Sequence, residues 1–259
     1  MEPLLKANYH THTTRCGHAS GTDREYVEAA IEAGYEILGF SDHTPYPTNP
    51  DFVSGMRIKL EETDNYFDSV TSLKKEYAND ITIYAGVEAE YFPEHFHKLL
   101  DYMKDYPLDY MIMGEHFIPD EQYGRYVGSP FRNPQWLEMY TENVLAGLKT
   151  GKFAYLAHPD LPFYVGENAE ELLKESYSTI CKAAKELNVP LEINVLGSTR
   201  DSSIYPASDF LDIAAATGND MILGIDAHSP AQLKNTPYIE KCLKMATDRG
   251  LNILEKMNI

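Results

Sequence analysis

Short apolar runs alternate along this 259-residue chain with longer amphipathic segments, and that alternation restricts the fold more than any other feature. Runs at 6–10, 36–40, 81–86, 109–113, 153–157, 190–194 and 221–225 have the length and residue types of strands. Segments 23–34, 59–79, 134–149, 169–188 and 231–250 carry helical spacing. Thr22 or Asp23 caps the first helix and Gly34 follows its last turn, while Gly218 and Gly250 sit where helices should stop. Strands mostly followed by helices imply a parallel sheet, because each crossover returns the chain in the same direction. An open doubly wound sheet and a closed barrel both satisfy the pattern. No internal repeat, low-complexity stretch or Pro/Gly/Ser-rich linker interrupts it, so residues 1–259 read as a single α/β domain. Long loops at 44–55 and 117–133 are expected over one end.

Polar residues collect at one place in this pattern, the C-terminal ends of the strands. His10 and His12 follow the first strand, with His18 close behind; Asp42 and His43 follow the second, Glu88 the third and His116 the fourth. His158 follows the fifth, Glu192 and Asn194 end the sixth, and Asp226 and His228 follow the seventh. In an α/β barrel those ends converge on one mouth. Imidazole and carboxylate are the ligands of first-row divalent metals. In extended backbone alternate side chains share a face, so His10 and His12 can hold one ion from the same side, as can Asp226 and His228. Asp42 and His43 are adjacent and point apart, so one of the two is expected to reach the metals. A lone histidine after a strand is commonly a surface or hydrogen-bonded residue, and one His-x-His pair carries little weight. Seven of the nine histidines, with carboxylates, spread over six strand ends, argue for a metal cluster. His95 and His97 flank Phe96 at the start of a helical stretch and read as structural.

Net charge narrows the partners. With 22 basic and 40 acidic residues the chain carries −18, and such a surface repels a nucleic-acid backbone. Bound cations would offset part of that charge and attract phosphate in its place. Cys16, Cys181 and Cys242 are odd in number, widely spaced and without a CxxC pair, which fits the reducing cytoplasm; Cys16 reads as a small half-buried residue. No apolar run is long enough to cross a bilayer, and the N-terminal residues lack the apolar core of a signal peptide, so no membrane partner is expected.

Tyr9–Thr13 (YHTHT), Cys16–Ala19 (CGHA), Ser41–His43 (SDH), Gly86–Glu88 (GVE), Glu115–Phe117 (EHF), Ala157–Asp160 (AHPD) and Asp226–His228 (DAH) together resemble the polymerase-and-histidinol-phosphatase (PHP) superfamily. Their order and spacing match from residue 7 to about residue 230. CGHA after the first HxH, the chain length, and the stretch from Glu192 through Asn194 and Gly197 to Arg200 most resemble its histidinol-phosphate phosphatases. The resemblance implies a distorted (β/α)7 TIM-like barrel with two to three divalent ions, Zn, Fe or Mn. It implies that His10, His12, Glu88 and Asp226 hold the first ion. Glu88 would bridge to a second completed by His116 and His158, and His18, His43 and His228 would hold a third. Asp42 would stand behind a ligand. Where related phosphatases have G-S-x-H before the fourth-strand histidine, this chain has Glu115, an acidic group placed to read a cationic substrate or to face away.

The implied activity is hydrolysis of L-histidinol phosphate to L-histidinol and phosphate, a step of histidine biosynthesis. The alternative is another small phosphate ester or nucleotide, as a phosphomonoesterase or phosphodiesterase. A non-catalytic metal-binding domain predicts missing ligands, and none is missing. Divalent ions acidify water and clamp phosphoryl oxygens, so the expected mechanism is in-line hydroxide attack without a phosphoenzyme. Asp226 or Asp42 would accept the nucleophile's proton. Arginine matches two phosphate oxygens at once, and Arg200, then Arg15, then Arg132 are the candidates. Tyr205, Phe117 and Phe163 lie in loops where they would flank an imidazole ring.

Overall fold

In a computed structural model, which describes residues 3–47, 52–200 and 204–259, the apolar runs close into a parallel barrel. Strands β1 (Ala7–Asn8), β2 (Ile37–His43), β3 (Thr82–Ala89) and β4 (Tyr110–Met113) pair side by side in that order. A small antiparallel hairpin, β5 (Phe117–Ile118) with β6 (Arg125–Tyr126), follows in the loop after β4. Residues 154–157 take the fifth barrel position. Met113 N donates to Tyr155 O (3.0 Å) and Ala157 N to Met113 O (2.8 Å) on one side, and Glu192 N donates to Leu156 O (2.9 Å) on the other. Strands β7 (Leu191–Asn194) and β8 (Asp220–Gly224) complete the parallel set, and β9 (Asn252–Ile253) lies along the early part of β8. Past β8, Ala227 bridges Thr11, with His12 N donating to Ala227 O (2.9 Å) and Ala227 N to His10 O (3.1 Å), and the ring is closed.

This closing seam is where the barrel departs from regularity. The ladder of β1 is short, and the buried Asn8 side chain replaces part of it. Its Oδ1 accepts from Ile225 N (2.9 Å), and its Nδ2 donates to His10 O (3.0 Å) and Thr11 Oγ1 (2.8 Å). One amide thus ties β1 to β8 just below the first and last ligand candidates.

Helices α1 (Asp23–Ala33), α2 (Thr63–Glu76), α3 (Phe96–Met103), α4 (Pro134–Lys149), α5 (Ala169–Leu187), the short α6 (Val195–Ser198), α7 (Ser208–Thr217) and α8 (Thr236–Thr247) occupy the connections. The Thr22 side chain and Glu25 form a capping box on α1, and Gly34 ends it in the left-handed region. Leu38, Phe40, Val87, Leu191 and Leu223 face the helices, while Tyr9, Ile112, Tyr110, Tyr155 and Ile222 fill the barrel's interior. Parallel strands buried on both faces leave polar groups a place only at their ends. Tyr110 donates to Tyr9 O (2.6 Å) and Phe40 O (3.0 Å), so the interior is a packed floor beneath the mouth. Among the described residues no helix is long and apolar enough to cross a membrane.

Two expectations change. Strands β2 and β3 each run three residues past the predicted ends, so Asp42, His43 and Glu88 lie within the ladder, where His43 registers with Glu88. The predicted helix 59–79 begins as a short 3-10 turn before α2, and 231–250 breaks into a turn and α8, whose first turn holds Pro237. Part of the predicted loop 44–55, residues 48–51, lies outside the described residues.

Candidate metal centre

The barrel mouth gathers the nine predicted ligands. His10 and His12 stand with ring centroids 5.2 Å apart, their Nε2 atoms 3.5 and 3.1 Å from Asp226 Oδ1. Glu88 lies among the imidazoles. Its Oε1 is 2.8 Å from His158 Nε2 and 3.5 Å from those of His10 and His116, and its Oε2 is 3.1 Å from His43 Nδ1 and 3.6 Å from His12 Nε2. His18 and His228 meet at the outer edge, Nε2 to Nε2 at 3.0 Å. Asp226 and His158 hold left-handed backbone (φ 56° and 30°), a cost of order 1–3 kcal/mol each for non-glycine residues. The pairing of Ala227 across the seam, and Glu192 Oε2 accepting from His158 N (2.9 Å), hold them there. Asp226 is therefore not in the extended backbone expected of it, yet its side chain still faces His12.

Most of these imidazoles are held from behind through Nδ1. His10 Nδ1 meets Glu192 Oε1 at 2.8 Å, His12 Nδ1 meets Asp42 Oδ1 at 3.3 Å, and His116 Nδ1 meets Glu90 Oε1 at 3.0 Å. His18 and His228 use backbone carbonyls, of Cys16 (2.9 Å) and Asp226 (3.0 Å). A ring that donates Nδ1–H to such a partner presents the Nε2 lone pair inward, the arrangement of metal-ligating histidines. Gly114 and Gly224 belong to the same design: a Cβ on either would collide with the carboxylate of Glu88 or Glu192.

Buried atoms here lack partners. Among the described residues His10 Nε2, His43 Nδ1, Glu88 Oε2 and Asp226 Oδ1 have no hydrogen bond, although all are enclosed. Orphaned nitrogens and oxygens facing one another suit divalent cations better than protons. Ligand atoms of His10, His12 and Glu88, of His10, His158 and Asp226, and of His12, His43 and His228 lie within 4.8 Å of one another. The residues present fit bound divalent ions. Electrostatics agree: burial pushes the Glu88 and Asp226 carboxyls up, but His116, His10 and their neighbours hold both well below the usual range. Burial lowers His10 and His12, yet Glu192 and Asp226 hold His10, and Asp226 and Asp42 hold His12, well above it. Burial and His12 push His228 down to about 4, so it is neutral.

The cavity above the cluster has a volume of about 500 Å³, lined by the outer ligands with Tyr126, Arg200 and Tyr205 at its sides. The other predicted residues separate clearly. Asp42 is enclosed, accepting from Thr13 N (3.0 Å), the Thr13 hydroxyl and His43 N (2.8 Å), with no oxygen left for the cavity. Arg15 turns away, to Asp23 (3.0 Å) and Asn65 (2.9 Å). Arg132 is exposed ahead of α4 and does not line the cavity. Glu115 is buried, accepting from Tyr91 N (2.9 Å) and Asn143 (3.1 Å), and burial with Glu90 nearby raises its carboxyl well above the usual range; it cannot read a substrate in the cavity. Phe117 packs on Tyr126, and Phe163 lines a different groove, beside α5. His95 precedes α3, and His97 is exposed on it, both outside the cavity. The buried Cys16 thiol, raised by burial but lowered more by His12 and His18, sits at the edge of the cluster. Sequence reasoning missed Glu90 and Tyr126. Glu90 follows Glu88 by one alternation on the same face, which is a usable signal, whereas Tyr126 lies on a two-residue strand that leaves none.

Known proteins share this chain's sequence and fold. The PHP domain profile matches residues 8–195. A Deinococcus radiodurans protein named "Probable histidinol-phosphatase" is 32% identical over 239 residues, 86% of each chain. The Bacillus subtilis histidinol-phosphatase is 25% identical across 92% of this chain and all of its own. The crystal structure of histidinol phosphate phosphatase from Lactococcus lactis, complexed with zinc, L-histidinol and phosphate, superposes with a TM-score of 0.75 at 20% identity, covering 98% of this chain and 99% of its own.

Proposed function

The chain belongs to the PHP domain family, and from that premise we propose that it is a metal-dependent phosphomonoesterase hydrolysing L-histidinol phosphate to L-histidinol and phosphate. One observation carries the proposal: nine ligand-type side chains converge beneath a cavity that also holds a guanidinium, and buried inward atoms of four of them, His10, His43, Glu88 and Asp226, have no hydrogen-bond partner among the described residues. Its volume of about 500 Å³ is that of a small-molecule site, within the usual range of roughly 300–1,000 Å³.

Two to three divalent ions, Zn, Fe or Mn, bound by His10, His12, His18, His43, Glu88, His116, His158, Asp226 and His228, would supply an acidified water and neutralise the phosphoryl oxygens. The chain's own groups do the rest. Arg200 binds two phosphate oxygens through its planar fork. Tyr126, stacked beside His116 at 6.4 Å, and Tyr205, edge-on to His158 at 6.4 Å, flank the substrate's imidazole. Asp226, which lines the cavity, accepts the attacking water's proton, whereas Asp42 is enclosed away from the cavity and serves to orient His12. The three cysteines are free thiols, which fits a cytoplasmic enzyme acting as a single domain on a small molecule.

The test is a phosphate-release screen over small phosphorylated metabolites, with the purified enzyme supplied with Mn, Zn or Fe. Histidinol phosphate should exceed nucleotides and aryl phosphates in kcat/KM by at least about tenfold, or about 1.4 kcal/mol of transition-state discrimination. Comparable turnover of all of them would reject the substrate and leave a general phosphatase.

A further inference from the structure

The three carboxylates behind the imidazoles are supported differently. Glu192 is held by His158 N and Asn194 Nδ2, both at 2.9 Å, and Asp42 by Thr13 and His43, groups that themselves lie at or just beyond strand ends. Glu90, behind His116, is gripped by a guanidinium that comes from the β2–α2 connection. Arg57 Nη1 donates to Glu90 Oε2 and Nη2 to Glu90 Oε1, both at 2.6 Å. Its remaining arm, Nε, donates to Glu121 Oε2 at 2.5 Å, and Ser54 Oγ donates to Glu121 Oε1 at 2.6 Å. Arg57 is 4% exposed, its guanidinium lies 5.5 Å from the Tyr46 ring centre and 5.7 Å from that of Phe92, and Tyr46 Oη donates to Glu90 O at 2.6 Å.

This side chain joins three parts of the mouth: the β2–α2 connection, the end of β3 and the long loop after β4. The segment that carries it also forms the cavity wall, because Gly55 and Met56 line the metal cavity while Ile58 N donates to His43 O at 3.2 Å. We propose that Arg57 is a positioning residue for the metal centre, fixing the His116 imidazole through Glu90 and the Gly55–Met56 wall through Glu121. The inference rests on the reading of His116 as a ligand. A buried charge pair of this kind is often replaceable by apolar groups without loss of stability, so stability does not explain its presence. A carboxylate that must face His116 with one orientation does.

The experiment is chelator competition on the purified full-length protein, measuring Zn or Mn affinity and bound metal per chain, beside Tm and steady-state kinetics. Arg57→Lys keeps the charge but cannot make the two-oxygen fork and the Glu121 contact together. It should lower the affinity of the weakest-held ion by about 10–100-fold, the scale of lost ligand support, and lower kcat more than it changes KM. The paired variant Arg57→Met with Glu90→Leu should regain Tm relative to Arg57→Met alone, while its metal affinity stays low. In a His116→Gln background, Arg57→Lys should have no further effect on affinity. Parent-like metal affinity and kcat in Arg57→Lys would overturn the proposal, as would full recovery of affinity in the paired variant. If His116→Gln alone leaves affinity unchanged, the ligand reading itself falls and the proposal with it; a loss in His116→Gln but none in Arg57→Lys removes the proposal alone.

Discussion

His10 illustrates how a side chain is prepared at this site. Its Nδ1 is anchored 2.8 Å from Glu192 Oε1, which leaves Nε2 no role except to face inward. Glu192→Gln replaces a charged acceptor with a neutral amide, and the expected result is about a 10–100-fold loss of metal affinity at little cost in fold, read by chelator competition and circular dichroism. Unaltered affinity would detach Glu192 from the metal centre. Arg200 makes the contrasting case, since it lines the cavity and does not support a ligand candidate from behind. Charge-assisted hydrogen bonds are worth about 1.5–3 kcal/mol. Arg200→Ala should therefore raise KM roughly 10–100-fold, while bound metal per chain stays at the parent level. A fall in kcat at constant KM would place the guanidinium in the transition state instead. The ligands were legible because their types and their strand-end positions are both local properties of the sequence. Of the groups behind them, the resemblance places Asp42, which stands behind His12, but the other pairings were not legible: Glu192 lies 182 positions from His10, and Arg57 lies 33 from Glu90, distances that only the folded barrel closes.

Between residue and molecule, the barrel's elements decide where the ligands stand. The strand-and-helix alternation was readable because parallel strands buried on both faces are apolar throughout, but their ends were not. Polar Ser41, Asp42 and Glu88 look like loop and yet continue the ladder, since a buried mouth satisfies them. The hairpin of β5 and β6 and the edge strand β9 are two residues long each, too short for any period to show. The seam at Asn8 was equally hidden, because a side-chain amide there does the work of a backbone ladder. Asn8→Ala strips Ile225 N–H of its acceptor, at a cost of about 1–3 kcal/mol. Roughly 2–10 °C of Tm should be lost at this chain size, by scanning calorimetry. A Tm unchanged within error would show that the seam is held by the Ala227 pairing alone. Gly114→Ala acts at the end of β4, driving a methyl into the Glu88 carboxylate. That variant should fold and lose bound metal, whereas full metal content would mean the Glu88 side chain has another position available.

For the molecule as a whole, protons and metal ions compete for one buried cluster in a chain of charge −18. Against burial, Glu192, Asp226 and Asp42 hold the His10 and His12 imidazoles well above the free-imidazole value, which favours their protonated forms when no metal is bound. Their contribution to metal-free stability is complete below the unfolded imidazole pKa and is lost as pH rises through the raised folded values. Glu88 and Asp226, held low, contribute in the opposite sense: fully above the ordinary carboxylate range, and lost as pH falls through their lowered values. Between those limits the metal-free protein offsets the charge of its carboxylates with imidazolium. Ligation requires neutral imidazole, so a divalent ion must expel those protons. Affinity should therefore rise with pH from about 6 to 8, with protons released from His10 and His12 and also from His18 and His158, whose partners raise them as well. His228, neutral at that pH, adds none. Zn or Mn titrated calorimetrically in buffers of different ionisation enthalpy counts the protons directly. The same competition sets thermal stability, since an ion at 100 times its dissociation constant adds about 2.7 kcal/mol, and chelation should lower Tm by several degrees, more at pH 8 than at pH 6. A binding enthalpy independent of buffer, together with a chelation effect that ignores pH, would mean that the imidazoles are already neutral and that the carboxylates do not hold their protons in place.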